Sequence, residues 1–269
     1  MLVRSWNLFH GNSVPPQRRA FLRQAVQLAT ADHPDVVCLQ EVPAWALERL
    51  GEWSGLQAYP ALAARPTLGP LPIPTELGRR LTELNHGLLR SAFAGQGNAI
   101  LVDPALRVTT HERLTLNPAS FRRAQARWLG LDSIARIAWG KERRVCQAVR
   151  LETPDGPSAV VGNLHATSYW PDQRLPDAEL RRAAELVDAL AQPGEIVVLA
   201  GDFNVELDRS RTLADLTTGE SGFSPGGPRI DHIIVRGAPA GGVRVWPEER
   251  RRVDGTLLSD HAPIEREIG

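Results

Sequence analysis

Short apolar runs recur along the chain at Leu2–Trp6, Asp35–Gln40, Gly97–Val102, Arg144–Leu151, Ser158–Leu164, Glu195–Ala200 and Arg229–Val235. Most are continuously apolar over four or more positions instead of alternating, a pattern that predicts strands covered on both faces. Helical spacing appears in two places between them. One pattern follows Ser13, which reads as a cap ahead of Pro15 and Pro16, and places Leu22, Ala25, Val26 and Ala29 opposite Arg18, Arg19 and Arg23. The other, Asp177–Ala191, places Leu180, Ala183, Val187 and Leu190 opposite Arg181, Arg182, Glu185 and Asp188. Helices of this kind pack on the outside of a sheet. No repeat of fixed period is present, which excludes a solenoid.

Two stretches break the alternation. Pro60–Gly97 is rich in Pro, Gly and Leu and holds a helix-like piece at Glu76–Arg90. Ser120–Lys141 carries Phe121, Trp128, Leu131, Ile134 and Ala138 at helical spacing beside Arg122, Arg123, Arg127 and Arg136. Both read as insertions or lids, near 60–97 and 120–141, in a single domain spanning 1–269. The default for the second is a solvated amphipathic helix, and the sharper reading is a cover over a substrate.

Composition narrows the function classes. At 269 residues and 42% hydrophobic, the chain can bury a large core. Its formal net charge is zero, so no global positive field would capture nucleic acid and any polyanion must be held locally. Lys141 is the only lysine among the basic residues; GC-rich coding explains this most simply, selection for bidentate phosphate contacts less so. Cys38 and Cys146 lie in apolar runs without CxxC spacing, as small buried hydrophobes and not a disulfide or zinc site. Met1–Asn7 already reads as a core strand, leaving no room for a signal peptide, and no apolar stretch approaches the ~20 residues of a membrane span. A cytoplasmic protein with no membrane span and no obligate protein partner is expected.

The chemistry sits at the ends of the apolar runs. Glu41 closes Val36–Gln40, where a carboxylate is costly unless a cation or ion pair satisfies it; a plain strand-end charge is the equal alternative. Asp202 and Asn204 follow Ile196–Ala200 and point the same way if strand geometry persists, although Gly-Asp and Asn also suit a turn. Asp260-His261 pairs a carboxylate with an imidazole able to take a proton near neutral pH. Asp231, set in an apolar strand, needs a partner, and His261 is the candidate; His232 faces the other way and reads as structural. His165, in Asn163-Leu164-His165 closing the run Ala159–Gly162, is another strand-end imidazole. Asn7, at the close of the first run, completes an oxygen-rich set suited to a hard divalent cation.

Taken together and in order, Ser5-Trp6-Asn7, Leu39-Gln40-Glu41, Gly97-Asn98-Ala99-Ile100, Asn163-Leu164-His165, Gly201-Asp202-Phe203-Asn204, Arg229-Ile230-Asp231 and Ser259-Asp260-His261 resemble the endonuclease/exonuclease/phosphatase superfamily. That group includes deoxyribonuclease I, apurinic endonucleases, inositol polyphosphate phosphatases and neutral sphingomyelinases. The resemblance implies an α/β (α+β) four-layer sandwich: two mixed sheets face to face, helices outside, and a site at one edge. It also implies Mg²⁺, with Mn²⁺ as an alternative, held by Glu41 with Asn7 and Asp260. Asp202 and Asn204 would then position the attacking water and the phosphate. His261, oriented by Asp231, would be the general base or an electrostatic clamp, and His165 would contact a phosphate oxygen or assist the leaving group. Several nucleases of the group carry a carboxylate two residues after the first Asn; Phe9 stands there in this chain, which argues against a second metal at that position.

The implied activity is metal-dependent phosphoester hydrolysis, foremost by a phosphodiesterase or nuclease. DNA or RNA as substrate is favoured by the arginine clusters Arg79/Arg80, Arg122/Arg123/Arg127 and Arg143/Arg144 and by Tyr169 and Trp170 close behind His165, which could stack on a base. The alternatives are a small-molecule phosphatase, a sphingomyelinase-like phospholipid phosphodiesterase and a catalytically silent binding scaffold.

Overall fold

The computed structural model describes residues 1–69, 71–89, 93–153, 156–219 and 221–269. In chain order the main elements are β1 (Leu2–Asn7), α1 (Leu22–Thr30), β2 (Val36–Val42), β3 (Gln57–Ala64), α2 (Thr75–Leu84), β4 (Gln96–Val102), β5 (Arg107–Thr115), α3 (Ala119–Trp128), α4 (Ser133–Lys141), β6 (Val145–Glu152), β7 (Ala159–His165), α5 (Arg174–Leu190), β8 (Ile196–Asp202), α6 (Arg211–Thr218), β9 (Asp231–Arg236), β10 (Arg244–Val245) and β11 (Ile264–Glu267). One sheet runs β10-β11-β1-β2-β4-β3 and the other β9-β8-β7-β6-β5. Both are mixed: β1 and β2 are parallel, as are β7 and β8, and the remaining neighbours are antiparallel.

The two sheets pack face to face with helices outside, which explains the unbroken apolar runs. Val36 and Cys38 of β2 meet Val161 of β7 and Val198 and Ala200 of β8 in the layer between the sheets. Val37 and Leu39, one position out of phase, pack under Ala25, Val26 and Ala29 of α1. On the far side Leu180, Ala183 and Val187 of α5 cover Val160, Leu164 and Leu199. Because successive strand residues face opposite ways, burial on both faces demands an apolar side chain at every step. Cys38 and Cys146 are buried and unpaired among the described residues; burial pushes both thiols up, out of the reactive range. No helix among the described residues is long and apolar enough to cross a membrane.

Several expectations change at the element ends. Ser13 caps no helix: it sits in a two-residue strand paired with Leu258 and donates its hydroxyl to the Pro15 carbonyl at 2.8 Å, while α1 begins nine residues later. The second amphipathic helix begins at Arg174, ahead of Asp177. Pro60–Ala64, taken as the start of an insertion, is the second half of β3, where Pro60 lies opposite Ala99. A proline disguised this strand, and an edge position tolerates it. The helix-like piece divides into α2 and a short four-residue helix at His86–Leu89, and Arg90 lies outside the described residues.

The stretch 120–141 is two helices. Gly130, at φ +63°, closes α3 in the left-handed conformation that favours glycine, and Asp132 caps α4 by accepting from Ala135 N at 2.7 Å. This break shifts the helical phase. The hairpin buries Ala126, Leu131, Ala135 and Trp139, while Trp128 and Ile134, assigned to the apolar stripe on one continuous helix, stand 78% and 68% exposed.

Candidate active site

Strand register gathers the chemistry. Asn7 lies beside Gln40 at the parallel ends of β1 and β2, and His165 beside Asp202 at the parallel ends of β7 and β8. The antiparallel β9 begins at Asp231, directly opposite Asp202. One polar bridge locks the two sheets at this rim. Gln40 Nε2 donates to Asn163 Oδ1 at 2.8 Å, and Asn163 Nδ2 donates to the carbonyls of Leu39 at 3.0 Å and Ala99 at 2.9 Å. Both side chains are wholly buried, so the residues just beyond them, Glu41 and His165, are held in fixed relation across the sandwich.

Backbone strain concentrates at the same rim. Phe9, His10, Glu41, Asn204 and Ser259 all have φ between +48° and +58°, a region costing non-glycine residues about 1–3 kcal/mol and held only where surrounding contacts over-determine it. At Glu41 the distortion accompanies a register shift between β2 and β4. A bulge of this kind re-aims a side chain. Glu41 meets His10 Nε2 at 3.1 Å and His165 Nε2 at 3.7 Å. Burial works against its ionisation, but the charge and hydrogen bond of His10 and the Arg144 guanidinium outweigh it and hold the carboxyl well below its usual range.

Asn7 joins the carboxylates. Its Nδ2 donates to Asp202 Oδ2 at 3.0 Å and Glu41 Oε1 at 3.3 Å, while its Oδ1 accepts from Phe9 N at 3.0 Å. The side-chain oxygen is thereby engaged, and metal ligation by Asn7 would require the amide to turn and forfeit the Phe9 bond. Asp202 is fully buried. Burial, then the neighbouring Asp231 charge, raises its pKa far above the usual carboxylate range.

Asp231 and His261 form a dyad, with His261 Nδ1 to Asp231 Oδ2 at 2.9 Å and His261 Nε2 to Asp202 Oδ2 at 3.8 Å. Burial alone would lower the His261 pKa. The hydrogen bond to Asp231 and the charges of Asp202 and Asp231 prevail and raise it to about 10. His261 is therefore an imidazolium at neutral pH. His165 is the opposite case: burial and the Arg144 guanidinium hold it well below its usual range, so it is neutral.

The other sequence-derived residues are less central. Asn204 does not continue the strand. β8 ends at Asp202, and Asn204 Nδ2 donates to the Ala166 carbonyl at 3.1 Å. Asp260 is exposed, outside the Asp202–Asp231–His261 cluster, and its charge helps raise the His261 pKa. Tyr169 packs against the buried cluster of the α3–α4 hairpin. Trp170 is 63% exposed with Arg209 stacked 4.6 Å from its ring centre. Arg122, Arg123 and Arg127 lie on α3. His232 is structural as expected, its ring held by the carbonyls of Gly226 and Val205.

Three residues support the site in roles that the sequence did not indicate, Arg144 standing there only as part of a basic cluster. His10 contacts Glu41, and its backbone carbonyl is held by His86 Nε2 at 3.1 Å. Arg144 places NH1 within 3.0 Å of both ring nitrogens of His165. Glu179, buried in α5, accepts from Trp139 Nε1 at 2.6 Å, Thr167 N at 2.6 Å and Thr167 Oγ1 at 2.7 Å, tying the hairpin to the segment just beyond His165. His10 lies in an irregular loop that ends no apolar run, and Arg144 is one arginine among many. For Glu179 a signal existed: it falls one residue before Leu180 on the inward-facing side of an amphipathic helix.

The donor set fits a hard divalent cation. Carboxylate oxygens of Asp202 and Asp231 lie within 4.8 Å of one another, oxygens predominate and sulfur is absent.

A family model described as Endonuclease/Exonuclease/phosphatase family matches residues 5–261. No curated protein matches. A conserved protein of unknown function from Enterococcus faecalis V583 superposes with TM-score 0.67 at 16% identity, covering 100% of this chain and 99% of that one. A humanized D. rerio TDP2 gives 0.64 at 16%, covering 100% and 98%. An endonuclease/exonuclease/phosphatase from Beutenbergia cavernae DSM 12333 gives 0.67 at 18%, covering 100% and 72%. At these identities the structures attest the fold, and the family match carries the rest: the chain belongs to the endonuclease/exonuclease/phosphatase family and is a hydrolase of phosphoester bonds.

Proposed function

We propose that the protein is a Mg²⁺- or Mn²⁺-dependent phosphodiesterase that acts on a nucleic-acid strand. The observation that carries the reading is the convergence of Glu41, Asp202 and Asp231 with His165 and His261 on one rim, locked across the sheets by Gln40 and Asn163. Glu41, supported by Asp202 and tuned by Asp260, would hold the cation, while Asn7 fixes the two carboxylates through its amide. Once bound, such an ion neutralises the phosphate and lowers the pKa of a coordinated water.

The chain's own groups divide the remaining work. As an imidazolium, His261 serves better as an electrostatic clamp on the phosphate than as a base. Asp202, fixed by the Asn7 amide at 3.0 Å, would orient the attacking water. Neutral His165, held by Arg144, can donate the N–H of its protonated ring nitrogen to a phosphate oxygen. The surface that would bind the rest of the substrate lies on the α3–α4 hairpin.

Bis-p-nitrophenyl phosphate tests the hydrolytic reading. Activity should require Mg²⁺ or Mn²⁺, vanish with EDTA and fall by orders of magnitude in Glu41→Gln. Turnover that persists in chelator would sink it, and so would full activity of the variant. Plasmid DNA, RNA, inositol phosphates and sphingomyelin tried in parallel identify the substrate class, with preference for either of the last two opposing the nucleic-acid reading.

A further inference from the structure

His261 sits on a segment that no sheet holds. The chain leaves a small three-stranded sheet at the strand Thr256–Leu258 and enters β11 at Ile264, and residues 259–263 between them belong to no strand. Ser259 stands at φ +58°, which a residue with a side chain keeps only where its contacts over-determine it. The donors of the segment have partners near β1. Ser259 N donates to the Asn12 carbonyl at 3.0 Å and the Ser259 hydroxyl to the Asn7 carbonyl at 2.7 Å, while His261 N donates to the Ser259 hydroxyl at 3.1 Å.

The carbonyls of the segment also need donors, and Arg251 supplies them. Its NH1 donates to the carbonyls of Ser259 at 2.7 Å, Leu258 at 3.1 Å and His261 at 3.2 Å, so one of the NH1 hydrogens is shared. The His261 carbonyl accepts a second bond, from Trp6 Nε1 at 2.9 Å, and Trp6 directly precedes Asn7. The backbone that bears the imidazole is thus gripped from two directions. One donor comes from the strand carrying Asn7, the other from the 3₁₀ turn Glu248–Arg251.

Burying a guanidinium for this purpose is costly. Arg251 is 8% exposed and burial pushes its pKa down; a buried charge persists only where hydrogen bonds satisfy it. Its Nε has no partner among the described residues, so the bonds that hold the group converge on residues 258–261. Asp231 holds the ring from the far side, through His261 Nδ1 at 2.9 Å, with Nε2 3.8 Å from Asp202. Ring and backbone are fixed at separate points. A backbone shift of about 1 Å would stretch the Asp231 bond beyond hydrogen-bonding range, and misplacement of that size costs about 10²-fold in rate.

We infer that Arg251 is a positioning residue for phosphoester hydrolysis, which by clamping the carbonyls of residues 258–261 sets where the His261 imidazole stands at the active-site rim. It meets no reacting atom and acts through His261. The inference rests on the phosphate-clamp role proposed above for that imidazole.

Two substitutions in the full-length protein test it. Arg251→Met keeps a long side chain and removes every donor; Arg251→Lys keeps the charge but replaces the planar fork with a point donor. With bis-p-nitrophenyl phosphate and Mg²⁺, kcat and kcat/KM should fall together by roughly 10- to 100-fold in Arg251→Met, and Arg251→Lys should lose less without matching the wild type. A general loss of structure would lower activity in any background. In the His261→Ala background, by contrast, Arg251→Met should cause no further loss, because the residue it positions is gone. Losses that multiply in the double variant overturn the inference. Metal-free protein in EDTA gives a readout independent of turnover: the proton of His261 Nδ1 in its bond to Asp231 should give a downfield NMR resonance in the wild type that weakens or shifts in both variants. If Arg251→Met fails to fold, Arg251→Lys decides. Wild-type kcat with an unmoved resonance in either folded variant overturns the clamp. Absence of metal-dependent hydrolysis in the wild type would remove the hydrolytic reading instead, and the resonance would then judge the clamp alone, an unmoved signal refuting it.

Discussion

Replacing Asp231 with asparagine tests the charge arrangement at the rim. The His261 pKa rises from 6.5 to about 10, which corresponds to about 5 kcal/mol of preferential stabilisation of the imidazolium. Asp231, with its 2.9 Å hydrogen bond, supplies the larger part against the burial that opposes it, and a loss of about 2–3 kcal/mol on removing the carboxylate is expected. Because the folded-state pKa lies above the unfolded one, this stability is fully present below pH 6.5 and is lost as pH rises through about 10. Asp202 adds a second, opposed effect. Its own carboxyl is raised partly by the Asp231 charge, so Asp231→Asn should let Asp202 ionise at lower pH and relieve a repulsion that grows as pH rises. The variant should therefore be less stable than wild type by about 2–3 kcal/mol at pH 6, and equal to it or more stable near pH 10. Urea denaturation in EDTA at both pH values gives the difference, and ¹⁵N-detected titration of the imidazoles locates His261. A His261 that still titrates near 10 in the variant, or a penalty independent of pH, would refute the dyad.

Two further outcomes are expected. His10→Ala removes a partner that aims and charges Glu41; calorimetric Mn²⁺ affinity should fall about 10- to 100-fold, as for loss of an outer-shell orienting group, and unchanged affinity would dismiss His10 from the site. Glu179→Gln replaces three accepting contacts with a side chain whose amide nitrogen faces donors; a cost of about 1–3 kcal/mol and faster trypsin cleavage at Arg122, Arg123 and Arg127 are expected, whereas an unaltered cleavage rate would show that Glu179 does not anchor the hairpin.

Much of the architecture is legible in the chain because burial on both faces leaves an unmistakable mark. A strand between two layers must be apolar at every position, and seven core strands announce themselves this way, each within two residues of its observed ends. Edge strands obey a weaker rule. β3 contains Pro60 and β5 runs Arg107–Thr115 with mostly exposed or half-exposed side chains, so neither stands out. The residues at the ends of the apolar runs were legible for a related reason: a carboxylate or imidazole placed against a buried strand demands a partner.

Only the tertiary structure decided who the partners are. Register alone brings His165 to Asp202 and Asp202 to Asp231, and a one-residue slip would turn each to the opposite face. The bulge at Glu41 and the turn at Asn204 break the alternation from which a sequence argument projects direction. His10, Arg144 and Glu179 reach the site from a loop, a strand start and a helix face, places that share no periodicity. The division between them is physical: local pattern reports whether a side chain is buried, whereas the identity of its neighbours, and with it the charge state of His261, Asp202 and His165, follows from long-range contacts that no local pattern encodes.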